Sequence, residues 1–141
     1  MPFVLFSLAR SLACFSLDSH RIPDKVKAAC DVTVNDMLTI ARMNVRITGV
    51  ERVFVGDSRS SPLFISPSTF EYLVFPQLKK MVGELARRGI VSILHFDTDW
   101  SAFLPFLLQL PRRSCVLELD GCTDMVKAKG IPGIICATAC L

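Results

Sequence analysis

The sequence has no C-x2-C pair, no G-x-G-x-x-G loop, no internal repeat and no low-complexity stretch. Its six cysteines lie at 14, 30, 115, 122, 136 and 140, so neither a zinc-knuckle nor a dithiol redox spacing occurs. Free, mostly buried thiols in a reducing compartment are expected. Without a glycine-rich turn after a strand, a nucleotide-phosphate cradle has no support. Charge is also sparse: 16 basic and 13 acidic residues leave a net +3, and the only basic doublets are Lys79-Lys80, Arg87-Arg88 and Arg112-Arg113. That pattern gives no basic face, and no nucleic-acid partner is expected. No uninterrupted apolar run approaches the ~20 residues that span a bilayer. The apolar segment Met1–Leu17 is broken by Arg10 and lacks a basic leader, so neither a membrane span nor an export signal is expected. The expected location is the cytoplasm.

What is present is apolar residues, 51% of the 141, against 21% charged. Disorder is excluded by that balance. A mean hydropathy of +0.45 requires either covered sheet faces or apolar surface left for a partner. The length fits one domain over residues 1–141. It is short of the ~250 residues of a complete (β/α)8 barrel, so any barrel pattern must belong to a partial one.

Leu5, Leu8, Leu12 and Phe15 recur at helical spacing through the first segment. Pro23 opens a second helical signal, with Asp24 in its first turn, an apolar stripe at Val26, Ala29, Cys30, Val34, Met37, Leu38 and Ala41, and a stop at Thr48-Gly49. A strand is expected over 51–56. Ser66-Pro67 then caps a long helix that Pro76 should kink and Gly89 should stop. Further strands are expected over 91–97, 115–120 and 133–137. Short helices are expected between them, from Trp100 to about Leu110 and from a Thr123 cap to Lys129. Alternating strands and helices imply a parallel sheet with helices packed on one side.

Parallel sheets place function at the carboxyl ends of their strands. Three of the expected strands end in an acid: Asp57, Asp97 and Asp120. Strand alternation puts Val53, Val55 and Asp57 on one face, Ile93, His95 and Asp97 on one face, and Val116, Glu118 and Asp120 on one face. If those faces point the same way, one mouth holds four carboxylates and a histidine. An Asp after a strand also caps turns, which is the plain reading for any one of them. His95 and Glu118 lie inside otherwise apolar strands, where charge is rarely left unpaired. The histidine fits a satisfied core pair, a general acid/base or a metal ligand equally well.

The stretch Gly56-Asp57, Pro62-Leu63-Phe64-Ile65-Ser66-Pro67, Phe70 and Phe75-Pro76 resembles the uroporphyrinogen decarboxylase family. So do Ile93-Leu94-His95-Phe96-Asp97, Val116-Leu117-Glu118-Leu119-Asp120-Gly121 and Thr123-Asp124 with Lys127-Ala128-Lys129, in that order. The helix around Arg10 and Pro23-Asp24-Lys25-Val26 is similar to the helices that precede this block. The resemblance covers nearly the whole chain. It implies a TIM-like barrel, of which this chain is a middle-to-late part with about four parallel strands.

It also implies one of two chemistries. One branch decarboxylates the acetate side chains of a tetrapyrrole without a cofactor. The other comprises methyltransferases of the methylcobamide:coenzyme M type, which use zinc to activate a thiol that receives a corrinoid-bound methyl group. In that branch a His-x-Cys pair supplies two zinc ligands and a later cysteine a third. Here His95 takes the histidine position and Asp97 stands where the cysteine would be. The later cysteine falls beyond residue 141. The candidate site is therefore Asp57, Asp97 and Asp120 as catalytic carboxylates, Glu118 as a substrate-binding group and His95 as the metal ligand, with zinc held weakly at best. Three readings follow: a fragment of such an enzyme, a non-catalytic barrel remnant that needs a complementary chain or a second copy of itself, and an independent α/β domain with a small-molecule site.

Overall fold

The computed structural model describes residues 1–138. In chain order the elements are helices α1 (Pro2–Ala9), α2 (Leu12–Arg21) and α3 (Pro23–Thr48), strand β1 (Arg52–Asp57) and helix α4 (Pro67–Thr69). A π-helical turn (Phe70–Val74) leads into α5 (Phe75–Ala86), followed by β2 (Val91–Phe96), α6 (Leu104–Leu107), β3 (Cys115–Leu119), α7 (Met125–Lys129) and β4 (Ile135–Thr138). The four strands form one sheet in the order β1-β2-β3-β4. Every neighbouring pair is parallel. This is the architecture expected from the alternation of strand and helix signals, and it is that of part of a (β/α) barrel.

The register places Val55, Leu94, Leu117 and Cys136 in one row across the sheet. Asp57, Phe96, Leu119 and Thr138 form the next row on the same face. Val55, Leu94, Phe96, Leu117 and Leu119 are buried there beneath the helices, with Leu78, Met81, Val82 and Leu85 of α5 in the same core. The opposite face carries the row Phe54, Ile93, Val116 and Ile135, and beyond it Gly56, His95, Glu118 and Ala137. Among the described residues no helix covers that face: Phe54 is 62% and Ile135 65% exposed. In a closed barrel this is the inward face.

Several local readings change. The N-terminal apolar stripe does not run through one helix, because Ser11 adopts φ 67° between α1 and α2 and caps the second through Cys14 N–H. Leu5 and Leu8 consequently face solvent, and Pro2, Phe3, Ser7, Phe15 and Ser19 are the buried residues of the two helices. In α3 the buried stripe is Val26, Cys30, Val34, Leu38 and Ala41, and Ala29 lies on the exposed side. Gly49 stops this helix at φ 71°, a left-handed conformation that glycine adopts without strain.

The break expected at Pro76 takes the form of a wide turn just upstream, in which Phe75 N–H donates to the Phe70 carbonyl. Pro76 has no N–H for the carbonyl of Tyr72, and its ring crowds that carbonyl; the wide turn relieves both. The helix expected from Trp100 shrinks to Leu104–Leu107, since Pro105 lacks the N–H that a helix beginning at Trp100 would donate to the Ser101 carbonyl and is tolerated only in a first turn. The cap of α7 is Asp124, which accepts from Val126 and Lys127 N–H at 3.1 Å each. Thr123 is instead spent on the β2–α6 loop, accepting from Trp100 N–H at 3.0 Å. Among the described residues the five cysteines at 14, 30, 115, 122 and 136 are free. Cys140 lies outside the described residues.

An aromatic cluster joins the sheet to the helices. Phe96 and Trp100 stack at 3.9 Å between ring centroids. Phe70 stacks on Phe103 at 4.3 Å and meets Trp100 edge-on. All four rings are fully buried. Trp100→Ala is therefore expected to lower folding stability by about 3–5 kcal/mol, the cost of an aromatic-sized void. Urea unfolding checks this, and a loss below about 1 kcal/mol would mean that the site collapses around the missing ring.

Candidate functional site

His95 and Glu118 are register partners on β2 and β3, side by side on the uncovered face near the carboxyl ends of their strands. Glu118 Oε2 lies 3.1 Å from His95 Nδ1. Asp97, one residue past β2, brings Oδ1 to 3.0 Å from His95 Nε2. The imidazole is thus clamped between two carboxylates. The three side chains are 29% (His95), 31% (Glu118) and 47% (Asp97) exposed, so the group is open to a ligand from the mouth. The Phe54 ring lies 5.2 Å from the imidazole and walls one side. Below it, Arg52, Phe54, Val91, Ile93, Val116 and Glu118 line an open depression of about 440 Å³.

A carboxylate only accepts, and a neutral imidazole has one N–H, so which ring nitrogen donates follows the tautomer. Glu118 Oε2 is hydrogen-bonded to Nδ1 at 3.1 Å. Asp97 Oδ1 approaches Nε2 at 3.0 Å, an ion-pair contact when the ring is protonated. Whichever nitrogen carries the N–H, a carboxylate faces it, which is the arrangement of a proton-passing group.

The expectation that all five candidates share one mouth holds for three of them. Asp57 falls on the opposite face, because its register partners are the buried Phe96 and Leu119, and the position beside His95 is taken by Gly56. Only 2% exposed, Asp57 accepts hydrogen bonds from Ser60 N–H (3.2 Å) and Ser60 Oγ–H beneath the helices. Burial pushes its carboxyl above the usual carboxylate range, and the Ser60 hydrogen bonds oppose that shift. Asp120 spends its oxygens on backbone, Oδ2 on Thr98 N–H at 2.5 Å and Oδ1 on Cys122 N–H at 3.0 Å. The turn-capping reading is the one that describes it. Phe54 was not singled out from the sequence, since every residue of Val53-Phe54-Val55 is apolar and alternation there does not distinguish the faces.

The donors do not fit a thiolate-type zinc site. Both His95 nitrogens are engaged by carboxylates. Cys136 shares the helix-side face with Leu117, and burial pushes the Cys115 thiol up to about 11, away from the thiolate that binds metal. Among the described residues no group of three or more His, Cys, Asp and Glu side chains is arranged to hold a metal ion. Nor does any described helix have the length and apolarity to cross a membrane.

A parallel sheet with one helix-covered face and polar groups at its carboxyl end defines a protein of the (β/α)-barrel class. Residues 2–140 match the family model for uroporphyrinogen decarboxylase (URO-D), and the chain belongs to that family. No curated protein and no solved structure matches it.

The buried Asp57 sets a testable pH dependence. A carboxyl whose folded pKa is raised binds more protons folded than unfolded, so its contribution to stability is complete below the ordinary carboxylate pKa of about 3.9 and is lost as pH rises through the folded value. Asp57→Asn keeps a partner for Ser60 and removes this titration. Urea unfolding at a series of pH values is expected to show a shallower fall in stability above pH 4 for the variant. Parallel curves for the two proteins would show that Asp57 is not buried as a carboxyl.

Proposed function

We propose that this chain supplies a tetrapyrrole-binding mouth for URO-D-type decarboxylation, with Asp97, His95 and Glu118 as its proton-handling group. The observation that carries the reading is the carboxylate–imidazole–carboxylate contact on the inward sheet face. Decarboxylating a pyrrole acetate consumes one proton and releases CO2. A proton first adds to a ring carbon and leaves a cationic ring. The bond to the carboxylate carbon then breaks, its electron pair flows into the ring, the freed methylene takes a proton to become methyl, and the ring carbon gives back the proton it first took, so one proton is consumed in all. His95 holds a transferable proton at the mouth. Asp97 and Glu118 accept pyrrole N–H groups and favour the cationic ring electrostatically. Phe54 and the apolar row beneath exclude water from one side, which strengthens those interactions.

The zinc- and corrinoid-linked methyl transfer of the other branch has weaker support, because the groups around His95 are carboxylate oxygens that already face its two ring nitrogens. A second reading rests on the exposure of Phe54 and Ile135. There the inward face is a packing surface for further barrel strands, from a complementary chain or a second copy, and binds no small molecule itself.

Anaerobic equilibrium dialysis with uroporphyrinogen separates these. Saturable one-to-one binding is expected, weakened about 10- to 100-fold in Glu118→Gln and Asp97→Asn, the usual cost of a lost hydrogen bond to a charged group. In an assay of CO2 release, His95→Ala should lose about 100-fold or more, the normal contribution of a proton-transfer group. Absence of saturable binding, or binding indifferent to all three substitutions, would favour the packing reading and sink the proposal.

A further inference from the structure

The loop that delivers Asp97 to His95 carries a backbone outlier. Thr98 sits at φ 70°, a region where a β-branched residue is crowded. Its hydroxyl is buried with no hydrogen-bond partner among the described residues. Two unfavourable features on one residue persist only where the surroundings impose them.

The surroundings here are the end of β3 and the turn after it. Asp120 Oδ2 accepts from Thr98 N–H at 2.5 Å. Thr123 Oγ1–H donates to the Thr98 carbonyl at 3.1 Å and accepts from Trp100 N–H at 3.0 Å. Trp100 Nε1–H in turn donates to the Asp97 carbonyl at 2.8 Å. The peptide groups on both sides of Thr98 are therefore held, from the end of β3 and the turn after it and from the buried indole. What this latch leaves free is the Asp97 side chain, which meets His95.

We infer that Thr98 and Asp120 are positioning residues: the latch from Asp120 to the strained Thr98 backbone aims Asp97 at His95 Nε2. The inference rests on the proton-handling reading of the trio. It assigns Asp120 a role in the site without contact to substrate, and it explains why the acid at the end of β3 is spent on backbone. The hydroxyl of Thr98 is not part of the latch; its backbone N–H is.

NMR of the full chain, with the imidazole nitrogens labelled, tests this without any ligand. The readouts are the Nε2 chemical shift and the solvent exchange of the proton shared between Nε2 and Asp97. Thr98→Gly relieves the crowding of the observed path and, lacking a Cβ, also opens loop paths that are closed to threonine. It is expected to leave the thermal midpoint unchanged or higher, yet to speed exchange of that proton at least tenfold. Asp120→Asn cannot accept from both Thr98 and Cys122, and it should move the Nε2 signal in the same direction. Thr98→Asn tolerates the same left-handed conformation and keeps the backbone N–H, so it should preserve the wild-type signal. Asp97→Asn is the reference, since it alters the contact directly. If Asp97→Asn changes the Nε2 signal while Thr98→Gly and Asp120→Asn leave it untouched, the latch is only structural and the inference is wrong. If Asp97→Asn itself changes nothing, the contact with His95 is absent in solution, and the reading of the trio falls together with the latch.

Discussion

The register between β2 and β3 is the constraint on which the rest of the molecule depends. Side chains alternate faces along a strand, so a slip of one residue would carry Glu118 from the open face to the helix-covered one. There it would be a carboxylate among Leu94, Leu117 and the apolar face of α5, with no partner. The slip is prevented by the apolar residues themselves. Val55, Leu94, Phe96, Leu117 and Leu119 are buried only in the observed register. Burial of one face thus decides the chemistry of the other: the hydrophobic rows bring His95 opposite Glu118, and the polar contact follows.

A second layer of order comes from the strand ends. Phe96, the last residue of β2, stacks on Trp100, and that indole reaches back to the Asp97 carbonyl. The core and the mouth are therefore joined by one short segment, 96–100. Its position owes little to helix formation, since α6 begins only at Leu104. The wide turn at Phe70–Val74 serves the same end from the other side, burying Phe70 against Trp100 and Phe103. The loop chemistry, the π turn and the aromatic cluster together hold the carboxyl end of the sheet in one conformation.

Membership of the URO-D family gives the fold, and the strand register decides which side chains meet on its open face. Cys136 sits on the helix-covered face and burial pushes the Cys115 thiol up to about 11, whereas two carboxylates and an imidazole converge from adjacent strands.

Much of the architecture was legible without coordinates. The alternation of β-rich and helical segments, the Pro23 start and Gly49 stop of α3, and the Ser66-Pro67 cap are local signals whose physics acts over a few residues. The same locality explains the failures. Nothing within α1 announces that Ser11 breaks the stripe of Leu5 and Leu8, and Thr123 reads as a helix cap until Trp100 is brought beside it from 23 positions away. For the site, period-two alternation within one strand joined His95 to Asp97, which meet, and Glu118 to Asp120, which is spent on backbone instead. It was silent on how one strand's faces align with the next, so Asp57 was grouped with a face it does not share. The sequence by itself determined a parallel α/β sheet, the strand ends where acids gather, and the polar residues that needed partners. Only the tertiary structure decided which acids meet the histidine, because facing is set by inter-strand register and loop anchoring, interactions between residues that the chain separates.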